Sequence, residues 1–206
     1  MEEKLKQIAA SILAPDQAAM DEAARRWDGI AKPLHSLGRL EEILIRIAGI
    51  QRSAAIDLGK RALVIMCADN GVVEEGVTQT GQEVTAIVAE NFLDEKSCAA
   101  IMCSMTGTQI MPVDIGMAVD TPRVEKHKIA YGTRNFAREP AMSREEAVRA
   151  VFVGIEKAKE LSDQGYRILA TGEMGIGNTT TSSAVLSCLL AADPAGGTGR
   201  GAGLDS

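Results

Sequence analysis

The stretch Arg167-Ile-Leu-Ala-Thr-Gly-Glu-Met-Gly-Ile-Gly-Asn-Thr-Thr180 decides how the rest of the chain is read. Its first four residues form an apolar run expected to be a buried strand, and Ser182-Ser-Ala-Val-Leu-Ser-Cys-Leu-Leu190 beyond it reads as a helix. Strand, glycine-rich turn and helix start together make an anion cradle. Glycine lets the backbone approach a ligand, and the first helical amides are donors at the positive end of the helix dipole. Two better-known loops fail here. A Walker A frame needs a lysine where Asn178 stands, and the glycine spacing does not fit G-x-G-x-x-G, so an NTPase and a dinucleotide fingerprint are both disfavoured. The local pattern leaves Glu173 open. It is either a solvated residue of an ordinary strand-to-helix turn or, as a carboxylate inside a loop suited to anions, a contact to a hydroxyl, a cation or a proton in transit.

Outward from this loop, strands and helices alternate without hairpin signals. Arg61-Ala-Leu-Val-Ile-Met-Cys-Ala68 is apolar throughout, as a parallel strand buried on both faces should be. It runs into Asp69-Asn-Gly-Val72, at the strand end where α/β folds place ligands; Asp69 is a turn former before Gly71 or a ligand contact. Val73–Gln82 reads as a mobile loop over the site, followed by helices over 83–92 and 97–105. A second strand spans 108–116, and 126–130 is a possible short one. Ser143 and Glu146 form a capping box ahead of a helix to Leu161. The expected fold is α/β, a Rossmann-like, mostly parallel sheet flanked by helices with right-handed crossovers, over residues 36–206. Helices within residues 1–35, broken at Pro15 and Pro33, make a small N-terminal helical element. Lys32, Ser36 and Arg39 bracket a Pro/Gly turn that is either a capped surface turn or a reach toward phosphate.

Composition narrows the chemistry. The 206 residues are 46% hydrophobic and 24% charged, with a net charge of −6. That balance disfavours a nucleic-acid partner. No apolar run is long enough to span a bilayer and no signal peptide precedes Met1-Glu-Glu-Lys4, so a cytoplasmic protein without membrane association is expected. Cys67, Cys98, Cys103 and Cys188 form no C-x-x-C pair, and three lie in apolar segments, expected as reduced, buried thiols. With only two histidines, His35 and His127, neither a zinc site nor a histidine base is well supplied. No metal or cofactor is expected. The glycine-rich end, Asp193 to Ser206, is either a tail or a second anion loop around Arg200. So elaborate a loop with nothing packed behind it suggests a domain cut on its C-terminal side.

Seven motifs occur together in order: Lys32-Pro-Leu-His-Ser-Leu-Gly-Arg-Leu-Glu41, Ala68-Asp-Asn-Gly-Val72, Glu75-Gly-Val77, Val113-Asp-Ile-Gly116, Pro140-Ala-Met142, Gly172-Glu-Met-Gly-Ile-Gly-Asn-Thr-Thr180 and Gly199-Arg-Gly-Ala-Gly-Leu-Asp205. Through them the chain resembles the nicotinate-nucleotide–dimethylbenzimidazole phosphoribosyltransferase family, over a little more than the N-terminal half of its members. The resemblance implies transfer of phosphoribose from nicotinate mononucleotide to a benzimidazole, with small-molecule substrates and a homodimer. It further implies that Gly175, Gly177, Asn178, Thr179 and Thr180 hold phosphate or ribose, with Arg200 and Gly201 assisting. Thr80 would line the base pocket, Met174 would pack on the base, and Asp69 would contact substrate. The family's principal general base is expected beyond residue 206, which leaves Glu173 an auxiliary role. The other reading is a non-catalytic nucleotide-binding fragment. Three departures stand out: His35 and Asn70 replace a glycine and a histidine common in relatives, and Val88 stands where some members carry a polar residue, so the preferred acceptor base is left open.

Overall fold

A computed structural model describes residues 1–201; the Ala202-Gly-Leu-Asp205 end of the last motif lies outside the described residues. The chain divides into two compact units, Met1–Gly59 and Lys60–Ser206. The division falls later than the 35/36 boundary expected from sequence, because α3 (Arg39–Gln51) packs against α2 (Gln17–Asp28) in the first unit. Both follow α1 (Glu2–Ala10), which stops well short of Pro15. Asp16 caps α2 through a hydrogen bond from Ala19 N at 2.8 Å. Within this unit the Lys32 ammonium lies 2.8 Å from the buried Glu41 carboxylate, which also accepts from Leu37 N. Lys32 therefore orders the start of α3, an internal partner that the turn's sequence does not disclose. His35 adopts φ 57°, in the left-handed region that favours glycine.

The second unit is a four-stranded, all-parallel sheet in the order β3-β2-β1-β4. β1 (Arg61–Ala68) is central, flanked by β2 (Gln109–Gly116) and β4 (Ile168–Met174), while β3 is only Glu125–Lys126. Alternation along β1 divides the core. Ile65 and Cys67 face Ala86, Ala89 and Phe92 of α4 (Glu83–Leu93); Ala62 and Val64 face Leu161 of α6 (Arg144–Asp163) and Tyr166. α5 (Cys98–Thr106) precedes β2 and is capped by Ser97; α6 opens with the expected capping box, both reciprocal bonds of Ser143 and Glu146 being present. After β4 come α7 (Asn178–Leu190) and a single turn, α8 (Pro194–Gly197).

Three expectations need correcting. β4 is an edge strand, not a buried one: among the described residues it pairs with β1 alone, and Leu169 is 38% exposed. It also runs further than its apolar run suggests. The ladder with β1 continues through Ile65↔Gly172 and Met66↔Glu173 to Cys67↔Met174, so Glu173 lies on the strand end rather than in the loop. Only Cys67 and Cys103 are buried; Cys98 and Cys188 are exposed, and all four are free.

Candidate functional site

β1 and β4 end side by side, and the chain leaves β4 through Gly175-Ile-Gly177 into α7. The turn hugs β1 so closely that a Cβ on Gly175 would stand 2.1 Å from the Ala68 carbonyl oxygen. Gly177 takes φ 85° and serves as the N-cap of α7, with no side-chain hydrogen bond capping the helix. Asn178 N donates back to Gly175 O at 3.1 Å, so it is the amides of Thr179 and Thr180 that are left to an outside acceptor. The Asn178 side chain instead donates to the Glu173 carboxylate, tying the strand end to the helix start.

Two adjoining cavities open here, sharing Val77, Asn178 and Thr179 as a common wall. The larger, about 650 Å3, is lined by Glu173, Asn178, Thr179, Thr180, Arg200 and Gly201, with Gly76, Val77, Ser182, Ser183, Thr198 and Gly199 completing it. The second, about 310 Å3, is lined by Thr80, Met174, Gly175, Gly177 and Ile176 together with the 77–79 segment. The larger one closes because the chain after α8 folds back on α7. Ser183 Oγ donates to Gly197 O at 3.1 Å, and Gly201 comes within 3.2 Å of the Thr179 hydroxyl, measured from where a Cβ would sit. A carboxylate, a guanidinium, several hydroxyls and an uncapped helix start thus face one space. That set can hold an anion at the helix end and stabilise positive charge near Glu173.

Ten of the eleven residues singled out from sequence line one cavity or the other. Asp69 does not. Its side chain is fully buried, with Oδ2 accepting from Ala118 N at 2.7 Å. Burial pushes its pKa up, against hydrogen bonds from Ala118 N and Thr85 and the charge of Lys128. Asp114, at the end of β2, is equally buried and pairs with Lys128 at 3.0 Å; the same ammonium donates to the carbonyls of Met117 and Val119. Asp69 and Asp114 thus order the 117–120 turn. Sequence reasoning also missed Ser182, Ser183 and Thr198, whose spacing carries no signal until α7 and the following segment are brought together. Among the described residues no group of three or more His, Cys, Asp or Glu could hold a metal ion, and no helix is long and apolar enough to cross a membrane.

The chain is similar to known proteins over nearly its whole length. A phosphoribosyltransferase family model matches residues 12–206. The nicotinate-nucleotide–dimethylbenzimidazole phosphoribosyltransferase of Alkaliphilus metalliredigens is 46% identical over 204 residues, covering 98% of this chain and 58% of the relative. The Clostridium tetani enzyme of the same name is 42% identical, with 99% and 56% covered. Among solved structures, CobT from Thermus thermophilus superposes with a TM-score of 0.85 at 37% identity, covering 92% of this chain and 58% of that one. The chain spans a little over half the length of the relatives it matches. On the family match, these identities and the shared fold, the chain belongs to the nicotinate-nucleotide–dimethylbenzimidazole phosphoribosyltransferase family.

Proposed function

We propose that the chain works in phosphoribosyl transfer from nicotinate mononucleotide to 5,6-dimethylbenzimidazole or a related base. The products are α-ribazole 5′-phosphate and nicotinate, within the nucleotide-loop assembly of cobalamin biosynthesis. One observation carries the reading: the uncapped start of α7 and the Glu173 carboxylate share a cavity with Arg200 and three hydroxyl-bearing or amide residues, Asn178, Thr179 and Thr180. The 5′-phosphate belongs at the helix start, with Gly175 and Gly177 admitting close approach and Arg200 and Gly201 closing over it. The acceptor base belongs in the adjoining cavity between Thr80 and Met174. Asp69 serves from behind, ordering the ends of the strands.

The chemistry matches this equipment. Nicotinate leaves as a neutral pyridine ring from a pyridinium, so its departure needs no strong general acid. As the acceptor nitrogen attacks C1′ it must lose a proton, which calls for a carboxylate. Positive charge builds on the ribose, and Glu173, steadied by Asn178, is the carboxylate at hand to offset it. The principal base is expected beyond residue 206, so Glu173 assists. The reading extends, through the family resemblance, to a cytoplasmic homodimer.

The test is intact mass of the protein, then nicotinate release from the mononucleotide with 5,6-dimethylbenzimidazole present, for the parent and Glu173→Gln. Turnover that falls with Glu173→Gln supports transfer by this chain. Mononucleotide binding without turnover would make it the substrate-holding part of the transferase. Loss of both overturns the reading.

A further inference from the structure

Ile176 sits between Gly175 and Gly177, the residue type with the most backbone freedom, at the point where the chain turns from β4 into α7. A turn of that composition has little local means of holding one shape. Beyond one local bond, from Asn178 N to Gly175 O at 3.1 Å, its restraint comes from two side chains on other elements. Ile176 N donates to the Thr85 hydroxyl at 3.0 Å, and Asn70 Nδ2 donates to Ile176 O at 3.0 Å. Both polar groups of this one residue are therefore held from outside the turn.

The anchors are themselves fixed. Thr85 lies on α4 and is fully buried beside the equally buried Asp69, so its hydroxyl is held in place by the packing around it. Asn70 follows β1. Its Oδ1 accepts from the Thr181 hydroxyl at 2.9 Å, in the first turn of α7, and its backbone carbonyl accepts from Gln82 Nε2 at 3.1 Å. The amide orientation is settled by chemistry, because a carbonyl such as Ile176 O only accepts and must face the amide nitrogen. One side chain thus holds the turn and the first turn of the helix together.

We propose that Asn70 and Thr85 are positioning residues, which clamp Ile176 so that the start of α7 stays aimed at the anionic end of the nucleotide. The assignment rests on the reading that this turn holds a 5′-phosphate. Neither residue lines the larger cavity, so each acts through the turn. The clamp freezes a flexible segment before the ligand arrives and so lowers the ordering cost of binding. It also explains why a fully buried hydroxyl on an otherwise apolar face of α4 sits opposite the glycine turn.

The experiment is calorimetric titration of the whole chain with nicotinate mononucleotide, with the same molecule lacking its 5′-phosphate, and with inorganic phosphate. Thr85→Val removes the hydroxyl at nearly constant shape, Thr85→Ser keeps it, and Asn70→Asp turns the donor to Ile176 O into an acceptor. Thr85→Val and Asn70→Asp are each expected to weaken mononucleotide binding about tenfold, the effect of one hydrogen bond. Thr85→Ser is expected to restore it, and binding of the dephosphorylated compound to stay unchanged. Undiminished mononucleotide binding by Thr85→Val, or an equal loss with the dephosphorylated compound, overturns the proposal. If the parent binds phosphate but not the mononucleotide, the functional reading fails while the variant series on phosphate still decides the clamp. Should Thr85→Val not fold, the Ile176 amide of the parent decides. Slow hydrogen exchange that slows further with phosphate upholds the clamp, and fast exchange overturns it.

Discussion

Gly175→Ala is the most direct probe of how closely the turn is built against β1. The added Cβ would lie 2.1 Å from the Ala68 carbonyl oxygen, and real Cβ contacts essentially never fall below 3.0 Å. The obstacle is backbone at the end of the central strand, so no side chain can swing aside. Either β1 or the turn must shift by roughly 1 Å, and forced overpacking of this kind costs ~1–3 kcal/mol, with a backbone obstacle at the upper end. For a chain of this size, ~3 kcal/mol lowers Tm by about 6–12 °C. A displacement of about 1 Å at a positioned site costs up to about a hundredfold in ligand interactions, so phosphate binding should fall too. Gly177→Ala is the comparison. There the Cβ meets Val73 Cγ2 at 2.8 Å, a side-chain tip that can rotate, and the left-handed φ of 85° dominates at ~1–2 kcal/mol. Thermal unfolding followed by circular dichroism, with phosphate titrations on the same samples, measures both. A Gly175→Ala protein with parental Tm and affinity would refute the close approach, as would a larger loss for Gly177→Ala.

Three further outcomes are expected. Lys128→Met leaves the fully buried Asp114 without its ammonium partner and should cost ~3–5 kcal/mol in denaturant unfolding; adding Asp114→Asn should recover much of that loss. Thiol labelling of the native protein should modify Cys98 and Cys188 quickly and leave Cys67 and Cys103 until unfolding. Burial pushes the Cys67 thiol up to about 12, so peptide mapping that finds it modified as fast as the exposed pair contradicts the packing. Acid sensitivity should trace in part to Glu146, held at about 2 by the Arg134 guanidinium and the Ser143 amide and hydroxyl, against an ordinary value of 4.5. A folded pKa below the unfolded one stabilises above about 4.5, and that contribution is lost as pH falls toward about 2. Urea midpoints of the parent and Glu146→Gln should therefore differ at neutral pH and converge near the acid end of that window.

The sequence by itself determined the kinds and order of the elements in the second unit. β1 is legible because a strand buried on both faces needs an unbroken apolar run. α6 announces its start because Ser143 and Glu146 stand three residues apart, and the glycine turn is visible because few other residues allow so close a backbone approach. Ten of the eleven candidate residues line the two cavities, and nine of those, all but Thr80, belong to local motifs whose spacing survives on paper. The tertiary structure decided the rest. That β4 is an edge strand reaching Glu173 depends on which strands pair, and Glu173 is as polar in a loop as on a strand end. The partners of Asp69, Thr85 and Asn70 lie on other elements: Asp69 takes Ala118 N, 49 positions along, while Thr85 and Asn70 meet Ile176 at separations of 91 and 106. Such bonds leave no periodic trace, because a buried polar group is satisfied by whatever the packing of distant elements brings within reach.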